Sequence, residues 1–209
     1  EFLKLSPKDP LGFTRKGNVL LSRAEILRQI LAGTQGQNLK AEDRGKLQKQ
    51  IKDDFVGAEQ NFKKAVELKS DFALASYNLG IVYERQGRIK EAVKQLETVR
   101  SSNPQDAGLA FQLGLLYYRN NQKSEAFSEM LRAVGIMPNY SNARWYLALM
   151  HEENGRIQDA VTQLEEIQKL NPDNQEVAQK ITDLKAGIRE FPPEKITEKE
   201  PLEEKREER

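Results

Sequence analysis

A fixed interval of 34 residues runs through the middle of this sequence. Pro104, Pro138 and Pro172 are separated by it. Ala92, Ala126 and Ala160 keep the same step, as do Leu79, Leu113 and Leu147, and Leu96, Met130 and Leu164. Gly80 and Gly114 are followed in register by Ala148, and Gly87 by Asn121 and Gly155. Many independent columns sharing one period mark a repeat architecture, in which each unit buries its apolar face only by leaning on its neighbours.

Each column has a physical reading. Gly87, Asn121 and Gly155 stand where a helix ends and the chain enters the left-handed region, which Gly and Asn tolerate best. Ala92, Ala126 and Ala160 are small enough for two helices to cross closely. Pro104, Pro138 and Pro172 lack the donor needed to continue a helix and so mark the junctions between units. Between these markers the apolar residues recur at three and four, as in Leu79, Val82 and Tyr83 and then Ala92, Val93, Leu96 and Val99. That spacing predicts a pair of amphipathic helices in every unit and no strands.

The run Asn78-Leu79-Gly80-Ile81-Val82-Tyr83, then Gly87-Arg88-Ile89-Lys90-Glu91-Ala92, then Pro104, closely resembles the tetratricopeptide repeat. The pattern returns as Leu113-Gly114-Leu115-Leu116-Tyr117, Ala126 and Pro138. In the third copy Ala148 stands for the Gly and His151 for the Tyr. The resemblance implies an all-α, right-handed superhelical solenoid of antiparallel helix hairpins. Full repeats are expected at 73–106, 107–140 and 141–174, closed by a capping helix at 175–190 that carries Gln175, Val177, Ala178, Ile181 and Leu184.

Upstream the period is interrupted. Ala58, Phe62 and Ala65 lie 34 residues before Ala92, Leu96 and Val99, but Gly45 and Lys46 occupy the columns of the missing first helix. A better match is Gly17, four residues after Phe13 and three before Leu20, as Gly80 relates to Ser76 and Tyr83. Residues 10–72 are therefore expected to be a modified repeat carrying an insertion of about 29 residues, at about 24–52. Phe13, Gly17, Leu20, Ala24, Leu27 and Leu31 form one heptad-like seam, and Leu47, Ile51, Phe55, Ala58, Phe62 and Ala65 another. Gly33 to Asn38 form a polar break between them. Two elongated antiparallel helices follow, projecting roughly 18 Å beyond their neighbours. The alternative is a long loop over 33–50, which Gly45 and the scarcity of apolar residues there favour.

Pro7 precedes Gly17 by the ten residues that separate Pro104 from Gly114. Residues 1–9 thus read as the end of a preceding repeat or a lead-in segment, with Leu3 and Leu5 as its last apolar positions, and the natural chain is expected to continue upstream. Residues 191–209 open with Phe191-Pro192-Pro193 and are then mostly Glu, Lys and Arg, a composition that cannot bury enough apolar area to order itself.

Composition narrows the function. Thirty-three basic residues face 32 acidic ones, for a net charge of +1, without the basic footprint of a nucleic-acid binder. There is no cysteine, which removes disulfides, thiol catalysis and thiolate metal sites. The lone histidine, His151, stands in the column of Tyr83 and Tyr117 and reads as a packing residue. One His without Cys cannot assemble a zinc site of the common kinds. No Gly-rich phosphate loop follows a strand. No catalytic, cofactor or metal residues are expected, and no run of about 18 apolar residues spans a membrane.

The family uses the stacked first helices of its repeats as a concave peptide-binding groove. Tyr77, Phe111 and Trp145 are 34 residues apart and would stand side by side there, with Ile81, Leu115 and Leu149 four residues on. Asn78, Gln112 and Tyr146 surround this stripe, Arg85 and Arg119 lie beyond, and Glu152 and Glu153 give the third repeat an acidic edge. The alternative for Tyr77, Phe111 and Trp145 is simple packing between first helices. Some members of the family clamp a terminal carboxylate with Lys, Asn and Arg. Here Asn78 matches one expected Asn, but Gln112 and Tyr146 take the corresponding places in the next repeats, and no Lys lies on the face. The expected function is non-enzymatic binding of a protein or peptide partner. The second reading is an accessory region of a larger bacterial membrane-associated enzyme of the polysaccharide-ligase type, its membrane helices upstream of residue 1. Compartment and oligomeric state stay open, self-association through an uncapped N-terminal face being one outcome.

Overall fold

The computed structural model describes residues 8–33 and 38–189, and among these it is helical with no strand. Leu3, Leu5 and Pro7, the residues 34–37 of the polar break, and the charged segment after Phe191 lie outside the described residues. The chain divides into two compact units, Glu1–Pro104 and Gln105–Arg209.

The first unit holds α1 (Pro10–Ala32), α2 (Ala41–Leu68), α3 (Ala73–Arg85) and α4 (Ile89–Ser102). Asp9 starts α1 by accepting from the Leu11 amide at 2.9 Å, with Pro10 in the first turn, where a missing N–H costs nothing. The helix runs 23 residues and α2 runs 28, against 13 for α3 and 14 for α4. A loop through 33–50 does not hold: α2 is already helical from Ala41. Glu42 and Asp43 sit in its first turn, where the helix dipole favours acids. Lys46 pairs with Glu42 at 2.6 Å and Lys49 with Asp53 at 2.6 Å, each one turn away. Such pairs support a stretch that has little apolar surface to bury.

The seam between α1 and α2 closes on Ala24, Ile51, Phe55, Ala58, Phe62 and Ala65, all buried. Gly17 is required by its neighbour: a β-carbon there would come within 2.6 Å of the Phe62 ring. Gly80 meets Leu96 at the same 2.6 Å between α3 and α4. One polar group is built into the α1–α2 seam. Asp54, 2% exposed, accepts from Arg23 Nε at 2.7 Å and from Gln50 at 2.9 Å. The Arg23 guanidinium holds its carboxyl below the usual carboxylate range.

The second unit holds α5 (Ala107–Arg119), α6 (Lys123–Ile136), α7 (Ser141–Glu153), α8 (Ile157–Leu170) and α9 (Gln175–Lys185). Asp106 caps α5 through the Leu109 amide, and Asn174 caps α9 through that of Val177. Val177, Ile181 and Leu184 of α9 close a core with Ala148, Ala160, Val161, Leu164 and Ile167.

The turns confirm the reading of the Gly/Asn column. Gly87, Asn121 and Gly155 have φ of +75°, +59° and +72°. In each case the next amide bonds back five residues at 2.8 Å: Arg88 to Tyr83, Gln122 to Tyr117, Arg156 to His151. This is the Schellman closure, which satisfies the last carbonyls of the first helix and turns the chain into the second. Gly187, outside the 34-residue register, repeats the device after α9.

Candidate functional site

The side chains expected to form a groove lie on α3, α5 and α7, and each unit presents its own set. On α3, Tyr77, Asn78 and Ile81 are partly buried and Arg85 is exposed. Two of the four reach α1. Asn78 Nδ2 donates to Asn18 Oδ1 at 2.8 Å, and Arg85 Nε donates to Glu25 Oε1 at 2.7 Å. Glu25 also takes Arg28 at 3.2 Å. The partners Asn18 and Glu25 escaped sequence reasoning: they lie 60 residues from Asn78 and Arg85, off the 34-residue step.

On α5 and α7 the aromatic column divides. Phe111 is 8% exposed, its ring 5.1 Å from that of Tyr140 and edge-on to Tyr146 at 5.7 Å. It is a packing side chain with little surface to offer. Trp145 is partly buried, packed against the core of α7, α8 and α9. Gln112, Leu115, Tyr146 and Leu149 are partly buried and Arg119 is exposed. Burial pushes the Tyr146 phenol up, and the nearby Arg119 charge opposes this.

The acidic edge expected from Glu152 and Glu153 does not form. Glu152 is 2% exposed and bonds Lys180 Nζ of the capping helix at 2.9 Å. Glu153 accepts from the Tyr118 hydroxyl and from Lys123 Nζ, the latter at 2.9 Å. Both carboxylates are thus committed to internal partners. Burial, then the Glu153 bond, drives the Tyr118 phenol far above its ordinary range. His151 is buried, 7% exposed, with its ring edge-to-face on Phe127 at 5.2 Å. Its Nδ1 is buried without a hydrogen bond. Among the described residues no group of His, Cys, Asp and Glu converges as a metal site, and no helix is long and apolar enough to cross a membrane.

Short helix hairpins turned by left-handed Gly or Asn, with a glycine or alanine on the first helix facing a large apolar side chain on the second, define a helical repeat protein. Two tetratricopeptide repeat models match the sequence, one over residues 51–114 and one over 125–175, together more than half of it. The chain belongs to the tetratricopeptide repeat family. No curated protein matches it.

Solved structures share the fold. YrrB, a TPR protein with an unusual peptide-binding site, superposes with a TM-score of 0.64 at 20% identity, over 90% of this chain and 83% of that one. MamA gives 0.60 at 23% identity, over 68% of this chain and 79% of that one. The first TPR of Spaghetti (RPAP3), bound to the HSP90 peptide SRMEEVD, gives 0.50 at 21% identity, over 56% of this chain and 92% of that one.

Proposed function

We propose that this chain is a non-enzymatic interaction module that holds a peptide or helix of a protein partner on the exposed side of its first helices. The observation that carries this reading is Trp145 with Leu149 and Tyr146: large side chains left partly outside on α7, while Leu147 and Ala148 of the same helix are 0% and 2% exposed. Leu115 and Arg119 on α5 extend that patch. Tyr77 and Ile81, beside Asn78 and Arg85, form a second one on α3. Aromatics give contact area at low entropic cost. The fold is shared with proteins described as binding peptides, which supports the class of partner without naming it. A carboxylate clamp is not favoured: Asn78 matches one of its Asn, but Gln112 and Tyr146 take the corresponding places in the next repeats. Residues 10–72 are read as one lengthened hairpin of the same kind.

Trp145 is the chain's single tryptophan, so its emission reports occupancy of the α7 patch directly. Peptides selected from a display library against the whole chain are expected to shift that emission. Leu149→Lys and Tyr77→Ala are expected to weaken them at least tenfold with the melting temperature kept. Peptides that bind the double variant as tightly as the wild type would refute this assignment.

A further inference from the structure

The turn between α7 and α8 carries a chemically reactive pair. Of the chain's asparagines, only Asn154 is followed by a glycine, Gly155. An asparagine amide is open to attack at Cγ by the main-chain nitrogen of the next residue. A side chain on that residue crowds the attack, and a proline there has no N–H to lose. Glycine imposes neither obstacle. The sister turns avoid the pairing. Gln86 precedes Gly87 in the first, and its longer side chain would have to close a larger ring. Asn120 precedes Asn121 in the second, where the Asn121 side chain crowds the nitrogen.

The fold keeps the reacting groups of the third turn apart. Asn154 is the C-cap of α7, with φ −87° and ψ 7°. Ring closure needs the Gly155 nitrogen to swing towards Cβ about the Cα–C bond, and this near-helical ψ turns it away. Asn154 Nδ2 donates to the Met150 carbonyl at 2.7 Å. The Gly155 N–H, whose proton must leave before attack, donates to the Glu152 carbonyl at 2.9 Å. Both bonds have to open first. They sit at a helix terminus, where local opening is far easier than global unfolding. Asn154 and Gly155 are exposed, so water has access to the pair.

We propose that Asn154 is a site of spontaneous covalent modification, a deamidation gated by opening of the α7–α8 turn. The Gly155 nitrogen gives its proton to hydroxide and bonds to Asn154 Cγ. The Cγ–Nδ2 bond breaks, and the nitrogen leaves as ammonia after taking a proton from water. A cyclic imide now joins the two residues. Water adds to one of its carbonyls and breaks the C–N bond there. Opening at Cγ leaves aspartate at 154, and opening at the main-chain carbonyl leaves isoaspartate. The net change is one water in and one ammonia out. Either product sets a negative charge at the C-terminus of α7, where the helix dipole disfavours it. Isoaspartate also routes the main chain through Cβ, which breaks the spacing that brings the Arg156 amide to the His151 carbonyl at 2.8 Å.

The test is peptide mapping by mass spectrometry of the whole chain, held at mildly alkaline pH in buffer and in unfolding guanidinium chloride. In denaturant the Asn154 peptide is expected to gain the mass of an acid over an amide, as two separable isomers, before any other asparagine peptide changes. In buffer the same change is expected to be at least tenfold slower. Gly155→Asn copies the second turn, whose Asn121 adopts the same left-handed conformation. That variant is expected to keep the melting temperature and to slow the reaction in denaturant at least tenfold. Equal rates in buffer and denaturant overturn the gating. No change in denaturant, another asparagine reacting first, or an undiminished rate in Gly155→Asn overturns the site.

Discussion

His151 carries an imidazole into a place where the sister repeats keep a phenol. Its ring lies edge-on to Phe127, its Nδ1 has no bond, and Asp159 is 3.8 Å away but exposed. Burial lowers its pKa below the ordinary 6.5, the Arg156 charge lowers it further, and Asp159 opposes both. The folded chain therefore takes up this proton less readily than the unfolded chain, which protonates the ring below about pH 6.5. Unfolding takes up a proton in that range, so stability falls as pH drops from about 7 to 5. His151→Tyr, which installs the residue found at 83 and 117, is expected to flatten that slope in urea titrations at several pH values. The packing role was readable from the column alone. The missing bond was not, because it depends on which polar atoms Phe127 and Arg156 leave within reach. Glu152 and Glu153 teach the same lesson. Two adjacent acids near a helix end look solvated in one dimension, yet one is buried on Lys180 and the other bonds Tyr118 and Lys123.

Among the elements, the capping helix α9 shows what holds one end in place. Its apolar period, Val177, Ile181 and Leu184, was legible and is buried as expected. Its polar lock was not. Lys180 and Glu152 lie 28 residues apart, and both side chains are under 10% exposed. Removing one partner of a buried pair strands the other charge, at a cost of about 3–5 kcal/mol. Lys180→Met is expected to destabilise the chain by about that much, read by urea unfolding. Lys180→Met with Glu152→Met is expected to recover most of the loss, since a buried pair is often replaceable by apolar side chains of similar volume. A double variant no better than the single would mean that the pair contributes net stability. At the other end, α2 defied the scarcity of apolar residues near Gly45, whose would-be β-carbon meets open space. Charge pairs one turn apart and acids in the first turn carry that stretch, signals weaker than periodicity and easily passed over in reading.

For the molecule as a whole, the fold class was open to inspection because every repeat restates the same few columns. The binding face was less so. Columns say which residues share a helix side, but not that Phe111 turns inward on Tyr140 and Tyr146 while Trp145 is only partly buried. Repeat arrays are stabilised by intrinsic and nearest-neighbour terms, so damage should stay local. Leu164, 1% exposed in the core with α9, tests this. Leu164→Ala is expected to cost about 2–5 kcal/mol and to speed amide exchange in α7, α8 and α9. Exchange in α1 and α2 should be unchanged. Uniform loss of protection along the chain would show one cooperative block instead.

The paired long helices have a consequence for how such a chain can change over time. Extra turns added at the far end of both arms leave the close meeting of Gly17 and Phe62 where it is. Reach thus becomes adjustable, lengthened or trimmed by matched segments while the downstream hairpins go undisturbed. Selection could tune it as one tunes the arm of a crane without rebuilding the tower.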